Sequence, residues 1–252
     1  DVVIDADGVR SIHTQPSSRR AFCVFEFIYF ARPDSTFFGH NVYLTRKAHG
    51  RRLAEESPVD ADLVMPFPDS GTYAALGYSE ASGIPFETGM IRNHYVGRTF
   101  IQPTQSMRDF GVRVKLNPIK ELLKGKDIII IEDSIIRGTT AKTRVKALRE
   151  LGVKRIHLRV SGPPHRFPCH YGIDFSTKGE LIASKMRVEE LGRYLGLDSL
   201  RYLSLEGLLT TTGVADPSNH FCKACFDGCY PVEFDEHLSK NCMEVHSSES
   251  MA

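Results

Sequence analysis

Residues 128–145 read IIIIEDSIIRGTTAKTRV, and this is where the chain carries its most specific chemistry. An apolar run ends in two carboxylates, Glu132 and Asp133. A short loop follows with Ser134, Arg137 and Gly138, and then Thr139 and Thr140 at the start of a helical pattern. A helix N-terminus offers unpaired N–H groups and the positive end of its dipole, which suit a phosphate. Gly138 lets the backbone approach closely, and the threonine hydroxyls add uncharged donors. Two adjacent carboxylates beside a phosphate suit sugar hydroxyls and Mg2+, a hard cation that prefers oxygen ligands. The spacing is not that of the nucleotide P-loop, GxxxxGK[ST].

The cysteines form a second constellation. Cys222 and Cys225 stand as C-x-x-C in FCKACFDGC. That pattern alone fits a structural metal site or a redox or incidental pair. Cys229 and Cys242 extend it to C-x2-C-x3-C-x12-C, an irregular candidate for four-cysteine zinc. His165 and His170 flank Cys169 and read as ordinary loop histidines.

The elements that must position these residues follow from periodicity. Asp127–Asp133, with four consecutive isoleucines, is too short for a helix and fits a strand buried on both faces of a parallel sheet. Residues 139–151 place Ala141, Val145, Leu148 and Leu151 on one helix face, closed by Gly152. Residues 154–160 are the next strand, completing a βαβ unit and an α/β fold with a mainly parallel sheet. Upstream, the aromatic-rich segment 21–31 reads as a strand, 41–57 as a helix, 62–67 as a strand, 71–81 as a helix and 84–91 as a strand. Residues 92–118 lack periodicity, and an irregular stretch of that length inside a domain is usually functional.

The composition is ordinary for a globular protein: 252 residues, 41% hydrophobic and 25% charged. Lys and Arg number 32 against 31 Asp and Glu, a formal charge of +1, which gives no whole-chain argument for nucleic acid. No apolar run approaches a membrane span, and the opening DVVIDADGVRSI lacks the features of a secretion signal. A reducing cytoplasm is therefore expected, where clustered cysteines bind metal more often than they form disulfides.

The strand, the two acids and the Gly-Thr-Thr loop resemble the phosphoribosyl-diphosphate (PRPP) signature of type I phosphoribosyltransferases. Further segments narrow the resemblance: FEFIYFARPDS at 25–35, MPFPDSG at 65–71, RNHYVGRTFIQPTQ at 92–105, GIDFSTKGELIAS at 172–184 and LEGLLTTTG at 205–213. Together they are similar to the phosphoribosyltransferase half of the glutamine PRPP amidotransferases, from about residue 21 to 231. The resemblance implies a type I phosphoribosyltransferase fold with a flexible flap, a remnant of a glutaminase domain and linker at 1–20, and a tail at 232–252. It implies that ammonia adds to C1 of PRPP and expels pyrophosphate, the first committed step of purine synthesis.

By that resemblance Asp69, Ser70 and Gly71 form the pyrophosphate loop. Residues 134–140, with Ser134, Arg137, Gly138, Thr139 and Thr140, hold the 5′-phosphate. Glu132 and Asp133 hold the ribose hydroxyls, and with Ser70 they hold Mg2+. Arg92, Tyr95 and Arg98 belong to a basic flap over 92–115, which also carries Arg108, Arg113 and Lys115. In one subclass four cysteines hold a [4Fe–4S] cluster, and the matching positions here are Cys23, Cys169, Cys222 and Cys225, leaving Cys229 and Cys242 as spares. A homotetramer, with purine nucleotides as feedback inhibitors, is the family tendency. The chain departs from the pattern at Glu132, where aspartate is usual, and at Arg92, where lysine is usual. Position 1 is aspartate rather than the catalytic cysteine that opens the glutaminase half, so a fragment that uses free ammonia is expected. A PRPP-sensing regulator and a purine-salvage phosphoribosyltransferase are the alternatives.

Overall fold

The computed structural model describes residues 2–12, 20–93, 116–174 and 177–233. At its start β1 (Val2–Asp5) and β2 (Gly8–Ser11) form an antiparallel hairpin that pairs Ile4 with Val9. A two-residue strand β3 (Phe22–Cys23) follows. Residues 24–31 then depart from the strand expected across 21–31, because Glu26–Phe30 form a π-helical turn. An aromatic run this short does not declare its period, and tertiary contacts decide it. Phe25, Phe27 and Ile28 turn into the core, while Arg46 collects the carbonyls of Glu26, Phe27 and Ala31. A small antiparallel pair, β4 (Thr36–Phe37) and β5 (His40–Asn41), leads to the helix Val42–Glu56, whose Asn41 cap accepts the Leu44 N–H.

The central sheet contains β6 (Leu63–Pro66), β9 (Asp127–Glu132), β10 (Arg155–Val160) and β11 (Ser199–Tyr202), all parallel, in the order β11-β10-β9-β6. Ile128 to Ile131 of β9 are all fully buried, as a β-branched strand covered on both faces requires. The helices Thr72–Ser82 and Thr139–Leu151 fall where the periodicity places them. The two faces of the sheet carry separate cores. Ile129 and Ile131 pack with Phe27, Leu53 and Tyr78, while Ile128 and Ile130 pack with Met65, Leu148 and Leu158.

The strand expected over 84–91 is mostly an extended edge. Val64 donates to the Pro85 carbonyl and Glu87 donates back to Val64, but regular pairing is confined to the antiparallel β7 (Met90–Arg92) and β8 (Leu116–Pro118). Pro85 has no amide to donate and Gly89 packs against Met65 and Leu123, which limits this stretch to a bridge. Finally β12 (Phe221–Cys222) pairs in parallel with β3, Cys23 opposite Cys222, and so joins the two ends of the described domain.

Candidate active site and thiol cluster

Beyond the carboxyl ends of β6 and β9 lies a cavity of about 1100 Å3. It is the position where open α/β sheets bind their ligands. Asp69, Ser70, Arg92, Glu132, Asp133, Ser134 and Thr140 line it, seven of the residues singled out from the sequence. Gly71, Arg137, Gly138 and Thr139 are not among the lining residues. Tyr95, Arg98 and the remaining flap bases lie outside the described residues, as does Cys242.

The helix Thr139–Leu151 begins directly at the cavity, so the amides of its first turn have no upstream carbonyl. Its cap is Gly138 rather than a threonine, at φ 74°, the left-handed region. A Cβ there would meet the Ile182 side chain at 2.9 Å. Arg137 points outward to Glu180 at 3.0 Å. Gly71 is held tighter still, because a Cβ would lie 2.2 Å from the Ile131 carbonyl of β9. The absence of a side chain therefore seats the 68–71 loop on the carboxyl end of β9, with Arg92 ion-paired to Asp69.

Burial pushes the Glu132 carboxyl well above its ordinary range, the adjacent Asp133 charge adds to this, and Arg144 opposes it. Burial also raises Asp133, against hydrogen bonds from the Ser134 and Ser70 hydroxyls. Two cations that sequence reasoning missed face this pair. Arg46 lies in the cavity wall with its guanidinium committed to main-chain carbonyls. Arg144 pairs with Glu132 at 3.4 Å. A helical signal existed for both: Arg46 falls on the buried stripe of Val42, Thr45, His49 and Leu53, and Arg144 lies one turn beyond Thr140. An aromatic wall of Phe25, Tyr29, Phe30 and Tyr73 completes the cavity.

The four cysteines of the 23, 169, 222 and 225 set come from three separate segments, and the fold brings them together. Burial pushes the Cys23 thiol up to about 11, with the Cys222 and Cys169 thiols adding to the effect. Cys225 is raised further by burial and by the other three thiols of the set, Cys23, Cys222 and Cys169. Hydrogen bonds tie these segments together, with the Arg166 and Phe167 amides both donating to the Cys225 carbonyl and the Tyr230 hydroxyl donating to the Pro168 carbonyl at 2.7 Å. Among the described residues no three His, Cys, Asp or Glu side chains converge on a single metal ion. Cys229 is exposed and stands apart. His165, on a loop, is buried between the Phe25 and Phe226 rings, and burial lowers it to about 3.

A buried parallel strand, an acid pair at its carboxyl end, a glycine-capped helix and a second loop seated across the rim define a type I phosphoribosyltransferase domain. No family model matches the chain. It is 53% identical over 240 residues to the amidophosphoribosyltransferase of Synechocystis sp., covering 95% of this chain and 48% of that protein. Against the amidophosphoribosyltransferase of Mycobacterium tuberculosis it is 47% identical over 250 residues, covering 96% and 47%. The solved glutamine PRPP amidotransferase from B. subtilis, complexed with ADP and GMP, superposes with a TM-score of 0.85 at 48% identity, over 94% of this chain and 53% of that one. The chain matches the phosphoribosyltransferase half of amidophosphoribosyltransferases and spans about half the length of the curated relatives it matches. Among the described residues no helix is long and apolar enough to cross a membrane.

Proposed function

We propose that the chain performs phosphoribosyl transfer from PRPP to ammonia, giving 5-phosphoribosylamine and pyrophosphate. The observation that carries this reading is the convergence of the 68–71 loop, the acid pair and the 134–140 loop on one cavity. The first-turn amides of the Thr139–Leu151 helix and the Thr140 hydroxyl would bind the 5′-phosphate. Glu132 and Asp133 would orient the ribose hydroxyls, and the Asp69–Ser70 backbone would hold the diphosphate. Departure of pyrophosphate leaves an oxocarbenium-like centre and concentrates negative charge on the leaving group, which Arg92 would meet. The expected flap over 92–115 would exclude water that hydrolyses PRPP. No residue of the cavity is needed as a strong general base, because ammonia is itself a nucleophile.

The donor set fits Mg2+: two carboxylates and the Ser70 hydroxyl, oxygen throughout, face one cavity. Bound there, the ion would supply electrostatic stabilisation of the diphosphate. The thiol set fits a [4Fe–4S] cluster in donor chemistry, since four cysteines from three segments lie within electrostatic reach of one another. Cys23, Cys169, Cys222 and Cys225 would hold it, and its part would be structural, tying the 221–233 segment to the domain. Purine nucleotides as inhibitors and a homo-oligomeric, tetrameric state belong to the same proposal; the B. subtilis relative was solved with ADP and GMP.

The test is pyrophosphate release from PRPP with Mg2+ and ammonium, run beside hypoxanthine, guanine and adenine as acceptors. Ammonium-dependent release supports the reading. Release with a purine base but not with ammonium would assign a salvage enzyme, and PRPP binding without turnover would assign a PRPP sensor.

A further inference from the structure

The acid pair at the end of β9 carries its own counter-ion. Glu132 and Asp133 are consecutive, and both line the cavity. Among the described residues, Arg144 is the single cation in ion-pair contact with either of them, with Nη1 3.4 Å from the Glu132 carboxylate and both side chains largely buried, at 17% and 16% exposure. Arg46, the other nearby cation, is spent on the carbonyls of Glu26, Phe27 and Ala31. Arg144 is fixed from a second side, because its guanidinium stacks over the ring of the fully buried Phe67, 4.7 Å from the centroid. Its Nε is buried with no hydrogen-bond partner among the described residues, so nothing else competes for the group.

The longer reach of glutamate makes this contact. Glu132 extends one methylene further than an aspartate would, and the pair still closes only to 3.4 Å. A shorter acid on the same backbone would leave Arg144 unsatisfied.

We propose that Arg144 is a positioning residue that ion-pairs Glu132 in place, so that the empty site offers a cation less negative charge than its two carboxyl groups would alone, most of it on Asp133. This rests on the PRPP reading and refines it. A site with that reduced charge holds a divalent cation poorly by itself and takes it together with the diphosphate, which brings its own oxygens and charge. Two uncompensated carboxylates would instead trap the cation before substrate arrives.

The experiment is binding of Mn2+ alone to the full chain without PRPP, followed by the loss of the free-ion electron paramagnetic resonance signal. Arg144→Met removes the charge and keeps an apolar stem against Phe67. A unit charge a few ångströms from the ion at a partly solvated site is worth about tenfold, so R144M should bind Mn2+ about tenfold more tightly than the unaltered chain. Arg144→Lys should restore most of the original affinity. Lys142→Met, which deletes an exposed charge on the same helix, should leave it within about twofold. Unchanged or weaker Mn2+ binding by R144M overturns the proposal.

Should R144M fail to fold, Arg144→Gln provides the same test, since it removes the charge but keeps a polar side chain and an intact carboxylate pair; Mn2+ binding should again tighten, and an unchanged affinity counts equally against the idea. PRPP binding by the unaltered chain in the presence of Mn2+ is measured in parallel. Its absence would refute the functional reading while the metal-only comparison still decides the role of Arg144.

Discussion

Gly71→Ala joins the fold to the site through a single missing atom. An alanine Cβ would lie 2.2 Å from the Ile131 carbonyl oxygen and 3.0 Å from its carbon, with the Phe67 carbonyl at 3.2 Å. Ordinary contact begins near 3.4 Å, so the loop must lift by about 1 Å, and none of these atoms is a flexible side-chain end that could yield. The Ile131 carbonyl already accepts the Phe67 N–H at 2.8 Å, and lifting the loop strains that bond. Overpacking of this kind costs about 1–3 kcal/mol, and a weakened backbone hydrogen bond adds about 1 kcal/mol. The expected destabilisation is therefore about 2–4 kcal/mol, read by urea unfolding. Because Asp69 and Ser70 ride on the same loop, a displacement of about 1 Å should lower PRPP turnover by roughly a hundredfold. Gly179→Ala is the control: a Cβ there meets nothing within 4 Å, and it should change stability by less than about 0.5 kcal/mol. A G71A protein with unaltered stability and turnover would refute the claim that loop seating against β9 sets the site.

Two further outcomes follow from the buried groups. Both ring nitrogens of His49 are buried without a hydrogen-bond partner among the described residues, and burial, with Arg46 adding, lowers its pKa to about 3. The unfolded chain takes up that proton near pH 6.5 while the folded chain resists to about 3, so stability falls as pH drops through this window. His49→Leu should flatten the decline between pH 6.5 and 3 in unfolding titrations, and an unchanged slope would exclude His49 as its source. For the thiols, protein purified without oxygen should be brown and hold about four iron and four sulfide per chain, and Cys225→Ser should abolish both. One zinc per chain with no iron would reject the cluster.

The parts of the molecule legible in the sequence are those governed by local period. Four isoleucines before an acid pair admit a single reading, and the helix that follows starts and stops at Thr139 and Leu151 because Gly138 and Gly152 both adopt left-handed backbone. The segment 24–31 was illegible for the opposite reason. Its π-turn is held by Arg46, a side chain about 20 residues away that no window contains. Arg144 was missed likewise, since its partner and its stacking ring are both tertiary neighbours. After β10 the shorter elements, Val188–Leu195, Ser199–Tyr202 and Leu205–Thr210, carry too few turns or alternations to assert a period by themselves. The cysteines were legible as a set only through resemblance; their meeting depends on the pairing of β3 with β12.

That pairing has a kinetic consequence. Phe22 and Phe221 close a ring of about 200 residues with a ladder only two residues long. It is among the most non-local contacts in the domain, so it should zip last during folding and open first under stress. Oxidants and chelators would then reach the half-buried thiols faster whenever this clasp opens, and the rate of their attack would rise with how often it does.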